Sequence, residues 1–375
     1  MPVKVSRPQA LAWRLRRHLL EPIGNPPVEA VVGRLCGVQA QVASSAELAV
    51  RVRRAASSPG EVSRALADGR LVKTWAMRGT LHLLTPEAGV AFLSLIAAAQ
   101  PWARPSWQRY FGVTPAVLQA LREAAREALD GTVLTREELV SAIASRPGLG
   151  HVGEALRSGW GTLLKPLAWQ GDLCFGPAQG ARVTFMRPEA ASPHWPGLPD
   201  PEQAAPAAIA AYLGAYGPTT VEAFGNWMAG GWFGRRRLRG WFEALGDRVA
   251  AVEVDDRAAW VLAEHVDELA SSRPTDAVRL LPGFDQYVLG PGTADDAIVP
   301  AGRRGAVSRQ SGWIAPVVVA GGRVGGTWAL DGDLVRVAWF PEAGRAPAAA
   351  LASEVGRLGA ILGRELGLAV DPAPG

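Results

Sequence analysis

The chain has 375 residues, 48% of them hydrophobic and 20% charged, enough for a packed core and for two to four domains. No apolar run reaches the ~18 residues of a membrane span, and the basic start "MPVKVSRPQALAWRLRRHLL" lacks the apolar core and cleavage site of a secretion signal. Membrane and exported proteins are therefore set aside, and a cytoplasmic protein is expected.

The net charge is only +4, but three of the 39 basic residues are lysines (Lys4, Lys73, Lys165), leaving 36 arginines. Arginine offers bidentate, weakly hydrated phosphate contacts. An Ala-, Gly- and Pro-rich chain acquires arginine from genomic base composition too, so the bias permits nucleic-acid binding without showing it.

In chain order, "PPVEAVVGRLCGV" carries apolar residues at helical spacing after a proline start. "SSAELAVRVRRA" sets Ser44 three residues before Glu47, the spacing of a capping box. "EVSRALADGRL" reads as a short helix ended by Gly69. "LVKTWAMRGTLHLL" alternates as a strand pair does, and Thr85 and Pro86 open the helix "TPEAGVAFLSLIAAA". Three helices and a strand pair are the order of a winged helix.

The order recurs. "TPAVLQALREAAREAL" starts at Thr114 and Pro115, "LTREELVSAI" carries the Thr135–Glu138 capping spacing, and "GEALRSGWGTLLKPLAWQ" is a third helical stretch. "GDLCFGPAQGARVTFM" then reads as a hairpin around "GPAQG". A proline-rich linker leads to "AAPAAIAAYLGAYG", "TTVEAFGNWMAG", "GRRRLRGWFEALG" and a hairpin turning at Asp255-Asp256-Arg257. Three such rounds at roughly 80- to 90-residue intervals predict tandem winged helices. The tail, "AVRLLPGFDQYVLG", "GWIAPVVVAGGRVGGTWAL" and "GDLVRVAWF", is strand-like and fits a small β-barrel or curled sheet, with "GGRVGG" as a hairpin turn rather than a phosphate loop. The last amphipathic stretch packs on the body.

The expected fold class is α+β, with tandem winged-helix (helix-turn-helix) motifs, a C-terminal β-barrel-like sheet and a terminal helix. Its domains are 1–109 (first winged helix), 110–190 (second), 200–270 (third), 275–345 (barrel and hairpins) and 346–370 (packing helix).

Cys36 and Cys174 sit far apart among apolar neighbours and are expected as buried free thiols. His18, His82, His151, His194 and His265 are scattered without ligand spacing, so no metal and no cofactor are expected. The arginine clusters Arg51/Arg53/Arg54, Arg235/Arg236/Arg237/Arg239 and Arg303/Arg304/Arg309 are candidate phosphate contacts. Within the first strand pair, Lys73, Trp75, Arg78, Thr80 and His82 are further DNA candidates, although packing is the simpler role for Trp75 as for most of the 14 tryptophans. A Gln-x-Gln pair, Gln39 and Gln41, lies between two helices of the first round, where a helix N-terminus supplies backbone donors and positive dipole. On its own such a pair is most often a cap or surface feature; its position makes it the best-placed polar pair for chemistry.

"GVQAQ", then "TWAMRGTLHLL", "LLPGFDQYVLG" and "GRVGGTW", in this order, resemble the AlkZ-type bacterial DNA glycosylases over about residues 10 to 365. The resemblance implies a C-shaped cradle of winged helices that removes bulky N7-alkylguanine adducts from duplex DNA and unhooks interstrand crosslinks. The family's catalytic signature, Gln, an aliphatic residue, then Gln or Asp, falls on Gln39-Ala40-Gln41, with alanine a small version of the middle position. Gln in the last place resembles the branch tied to self-resistance in producers of DNA-alkylating antibiotics. The family's lesion-probing β-hairpin would fall near "GRRGAVSRQSGW", residues 302 to 313.

These implications make the protein a monomeric, monofunctional glycosylase acting on double-stranded DNA at the nucleoid, away from membranes. Two rival readings stand beside it. A winged-helix transcriptional regulator would read a defined sequence and leave alkylated DNA untouched. A non-catalytic resistance protein would bind the lesion or drug without releasing a base.

Overall fold

The computed structural model describes residues 2–159 and 161–373. They divide into two compact units, neither continuous in sequence: unit one takes Met1–Val62, Ala210–Ala223 and Leu245–Gly375, and unit two takes Ser63–Ile209 and Phe224–Ala244.

Unit one begins with β1 (Val3–Val5) and α1 (Arg7–Arg17), which Ser6 opens with a reciprocal capping box to Gln9. The sequence reading passed over both elements. Then come α2 (Val28–Arg34), β2 (Val38–Gln39) and α3 (Ala43–Arg51). The expected Ser44–Glu47 capping box is a correction: α3 starts at Ala43 behind Val42, with no side-chain cap. Glu47 instead accepts from the backbone N–H groups of Gly60 (2.9 Å) and Val62 (3.3 Å), so its carboxylate is committed elsewhere.

The helix α4 (Glu61–Ala67) carries the chain into unit two, and Gly69, at φ +69°, turns it out. The predicted strand pair is β3 (Val72–Trp75) and β4 (Leu81–Leu84). Thr85 caps α5 (Pro86–Ala98), α6 (Pro105–Phe111) follows, and Thr114 caps α7 (Pro115–Ala128). Such caps contribute about 1 kcal/mol each. After β5 (Leu134–Thr135), Thr135 and Glu138 form the expected capping box of α8 (Arg136–Ala144).

The helical stretch expected over residues 153–170 consists of two helices, α9 (Gly153–Arg157) and α10 (Leu164–Trp169). Gly161 between them sits at φ +68°, where a Cβ would come within 2.3 Å of the Trp75 ring. Trp160, inside that stretch, lies outside the described residues. The "GPAQG" hairpin joins β6 (Cys174–Phe175) to β7 (Thr184–Met186), and α11 (Pro188–Ala191) precedes the linker. Within unit two the strands run β4-β3-β6-β7-β5. Trp75, Phe185, Leu121, Leu139 and Leu167 share the buried core beside them.

The chain returns to unit one along α12 (Pro201–Tyr216). It leaves again for α13 (Val221–Ala229) and α14 (Arg235–Glu243), then re-enters as β8 (Val249–Val254) and β9 (Arg257–Leu262), turning at Asp255 and Asp256 with φ 45° and 61°. β1 pairs in parallel with β8, Val3 opposite Val252, giving the sheet β1-β8-β9. α15 (Val266–Ser271) packs its Leu269 into the core that this sheet shares with Trp13.

The tail holds β10 (Val278–Leu281), α16 (Gln286–Leu289), α17 (Arg304–Val307), β11 (Val317–Ala320), β12 (Arg323–Asp331) and β13 (Leu334–Trp339). It closes with α18 (Ala348–Leu362) and β14 (Gly367–Pro372). The expected barrel is corrected to an open five-stranded sheet, β10-β11-β12-β13-β14. One face is covered by α18, whose Leu351, Val355 and Leu358 pack on Val278, Leu280, Trp328 and Val337, so apolar surface is buried without closing the strands. "GGRVGG" does turn a hairpin, with Gly321 and Gly322 at φ +57° and +86° between β11 and β12.

Residues 302–313 are not a β-hairpin. They are short helical turns around α17, pinched by a bridge between Ser308 and Ile314. Their glycines and arginines lack the alternation that a strand pair needs.

Candidate active site

The Gln pair is set by a tight reversal. After α2 the chain turns through Cys36 (φ 56°) and Gly37 (φ 102°), with Gly37 N–H donating to Val32 O at 2.9 Å. A non-glycine residue at positive φ is held there only by its surroundings, and Cys36 is buried. The extended segment that follows sends alternate side chains to opposite faces. Ala40 is buried, and Gln39 and Gln41 meet on the other side, Gln39 Nε2 donating to Gln41 Oε1 at 3.5 Å. Gln39 is 5% exposed, whereas Gln41 is open to solvent. The inner amide thus steadies the outer one, whose oxygen has a second lone pair to offer. Because α3 has no side-chain cap, its first-turn N–H groups and positive dipole end lie directly after Gln41.

A second loop of unit one braces α3. Gly283 lies where a Cβ would be 2.8 Å from Ile314 O and 3.8 Å from Ser45 Oγ, so only glycine lets the loop approach that closely. Phe284 follows at φ 62°, and Trp313, 47% exposed, stands edge-on to it at 5.0 Å. Asp285 anchors the loop. Its two oxygens take Arg53 Nη1 and Nη2 at 2.8 and 2.7 Å, and both side chains are fully buried. Arg53 also donates to Ala49 O at 2.7 Å and His18 O at 3.0 Å, tying the end of α3 to the same point. Tyr216 Oη donates to Leu35 O at 2.6 Å and lies 3.3 Å from Gln286 Oε1, fixing the start of the Gln segment.

Sequence reasoning did not single out Ser45, Tyr216, Phe284, Asp285, Gln286 or Trp313 as site residues. The run Pro282-Gly283-Phe284-Asp285 carried a usable signal, a glycine turn before an acidic helix cap.

Burial pushes the Cys36 thiol up, so it is no nucleophile. Cys174 is likewise buried and free. With Glu47 and Asp285 both committed, the reactive polar groups that this segment presents are neutral carboxamides.

Several expected DNA contacts are corrected by burial. Arg51 donates to Ser57 Oγ at 3.2 Å and to Ile361 O, and is 7% exposed. Trp75 is core, 4.6 Å from Phe175 and 5.9 Å from Phe185. His82 is fully buried with Nδ1 3.0 Å from Thr80 O, and burial lowers its pKa to about 3, so it is neutral and offers phosphate no charge. Lys73 lies 5.6 Å from the Phe175 ring centre, half-buried, and burial lowers its pKa. Thr80 Oγ1 donates to Met77 O at 3.1 Å, and Arg78 occupies the turn between the strands at φ 55°. Arg303 is held by Glu342 at 2.8 and 3.2 Å. Arg235 and Arg236 in unit two, and Arg304 and Arg309 in unit one, are exposed. Among the described residues, no helix is long and apolar enough to cross a membrane.

A family profile described as "DNA glycosylase AlkZ-like" matches residues 32–361. A curated protein of Streptomyces sahachiroi, "Interstrand DNA cross-link repair glycosylase", is 48% identical over 353 residues, 94% of this chain and 95% of its own. The solved structure of Streptomyces sahachiroi DNA glycosylase AlkZ superposes with a TM-score of 0.96 at 47% identity, covering 98% of this chain and 100% of that one.

Proposed function

Because the chain belongs to the AlkZ-like DNA glycosylase family and is an N-glycosyl hydrolase of that class, we propose that it excises bulky N7-alkylguanines from duplex DNA. Its proposed reach includes unhooking interstrand crosslinks, as the name of the Streptomyces sahachiroi relative supports. Its role in the cell is self-resistance to a DNA-alkylating natural product. The three rounds of helices followed by a strand pair act as winged helices that grip the duplex, and the protein works as a monomer.

The observation that carries this reading is the amide pair itself, a buried Gln39 donating to an exposed Gln41 at the start of α3. Alkylation at N7 leaves guanine cationic, so the base departs neutral and needs no general acid. The deoxyribose passes through an oxocarbenium-like state, and water then needs positioning more than deprotonation. Gln41 Oε1 accepts a hydrogen bond from that water, and its dipole faces the developing positive charge. Gln39 holds Gln41 in place and contacts the water or sugar. An amide cannot form a Schiff base with the abasic sugar, so the product is an abasic site in an uncut strand. On the lesion side we place Arg304, Arg309 and Trp313, carried on a compact loop.

The test is single-turnover release from a duplex carrying one N7-guanine adduct. Gln41→Ala should slow release by about 100-fold or more, as loss of a group that acts only in the transition state does, while duplex affinity changes little. Release at the wild-type rate would overturn the assignment. Strand cleavage without added alkali would overturn the monofunctional mechanism.

A further inference from the structure

A cavity of about 330 Å³ lies within unit one, among α1, residues 218–223, the β8–β9 hairpin and residues 291–297. That volume is in the range of small-molecule sites. Neither Gln39 nor Gln41 lines it, and the glycosylase chemistry has no use for it.

Arg14 of α1 lines the cavity and is 7% exposed. Its Nη2 donates to Tyr216 O at 2.9 Å, but Nε and Nη1 have no hydrogen-bond acceptor. The nearest carboxylate oxygen, Asp295 Oδ2, is 4.0 Å from Nη1, and the other oxygen of that group takes Ala297 N–H at 2.9 Å. A buried guanidinium with unfilled donors costs stability, and native proteins keep such groups where a ligand or ordered water fills them. By contrast, Arg7 is occupied by Asp255 (3.0 Å from its backbone N, 3.4 Å from Nε) and by Asp296 at 3.9 Å.

The lining selects among anions. Arg7, Arg14 and Arg257 stand beside Asp295 and Asp296, and Asp255 already pairs with Arg7, so no surplus positive charge remains and the pull on an anion comes from the open donors of Arg14. A phosphate monoester, with close to two charges, would meet the two aspartates. Leu11, Pro218 and Ala259 give an apolar wall. Thr220 Oγ1 already accepts from Ala223 N–H at 3.1 Å, and its O–H is left to donate.

We propose that this cavity binds a small organic carboxylate, its charged end on Arg14 and its apolar body against the Leu11–Pro218 wall. The site is distinct from the Gln pair, and binding there is read without any base release, so its failure leaves the glycosylase reading untouched.

The experiment titrates the full chain with benzoate by calorimetry and follows the melting temperature. Wild type should bind one benzoate saturably in the millimolar range or tighter and melt higher with it. Arg14→Gln should weaken binding at least about tenfold, the scale of one lost charge-assisted contact. Ala223→Leu, which fills the cavity and leaves the guanidinium in place, should weaken it similarly and guards against a misfolded arginine variant. Inorganic phosphate should produce no saturable heat. The proposal is overturned if benzoate does not saturate wild type, or if both folded variants bind it as well as wild type does. It is equally overturned if unmodified duplex displaces benzoate mole for mole, which would make the cavity a seat for a backbone phosphodiester.

Discussion

Asp285→Ala tests the bracing of the Gln segment. The substitution removes the carboxylate that receives two guanidinium N–H groups of Arg53 at 2.7 and 2.8 Å, in a pair with no solvent exposure at either side chain. Arg53 would keep Ala49 O and His18 O as acceptors but lose its counter-charge. Breaking one half of a buried pair costs about 3–5 kcal/mol, because the other charge stays buried. Asp285 Oδ1 also accepts Tyr287 N–H at 2.8 Å as the cap of α16, worth about 1 kcal/mol more. The expected loss is therefore about 4–6 kcal/mol of unfolding free energy.

A chain of two units need not unfold in one step, so urea melts should be read with hydrogen exchange over residues 45–53 and 280–290. Both segments should lose protection together. Arg53→Met combined with Asp285→Leu replaces both charges by apolar side chains, leaving no unpaired ion in the core, and should recover most of the loss. A cost under about 1 kcal/mol for Asp285→Ala, or a double variant no better than the single one, would refute the claim that this pair holds the loop against α3.

Burial holds His82 at about 3 and His18 well below its ordinary value, with Arg53 and Arg14 adding to the effect on His18. Since the folded pKa lies below the unfolded one, the unfolded chain takes up the proton first. Stability should be level above about pH 7 and fall below about 6.5, by about 1.4 kcal/mol per pH unit for each such histidine. Urea midpoints between pH 5 and 6.5, where carboxylates contribute little, should therefore decline in wild type and decline less in His82→Gln; equal slopes would contradict the burial argument. Gly161→Ala places a Cβ 2.3 Å from the Trp75 ring at a positive φ. It should cost about 2–4 kcal/mol, seen as a lower melting temperature, and an unchanged melt would count against that packing. If Arg235 and Arg236 contact phosphates, replacing both by Gln should reduce the slope of log affinity against log salt by about 2. An unaltered slope would move the duplex contact elsewhere.

Local signals were legible. Thr85, Thr114 and the Thr135–Glu138 pair cap helices where their spacing placed them, and Asp255-Asp256 turn the hairpin they predicted. The Gln pair stands at a helix start, as its position between two helical patterns implied. What stayed hidden depends on partners far along the chain. Nothing near Val3 announces a parallel pairing with Val252, nor near Leu334 one with Gly367. Arg53 read as one member of a surface arginine cluster because its counter-ion is 232 residues away. Trp75 and His82 looked available because an isolated strand pair has an open face; in the fold β6 extends the sheet, with Lys73 opposite Phe175, and the Phe175 and Phe185 rings pack on Trp75.

The interleaved make-up of unit one bears on how the protein is made. Unit two needs nothing beyond Ala244, whereas unit one draws on residues up to the C-terminal strand β14. On the ribosome the Gln segment emerges early, yet Tyr216, Asp285 and Gly283 are translated at least 170 residues later. A nascent chain halted near residue 245 would carry all of unit two and Tyr216, but its Gln pair would lack the Gly283–Asp285 loop that braces α3. With the Gln pair as the proposed catalytic group, products truncated before Gly283 should release no base from an adducted duplex.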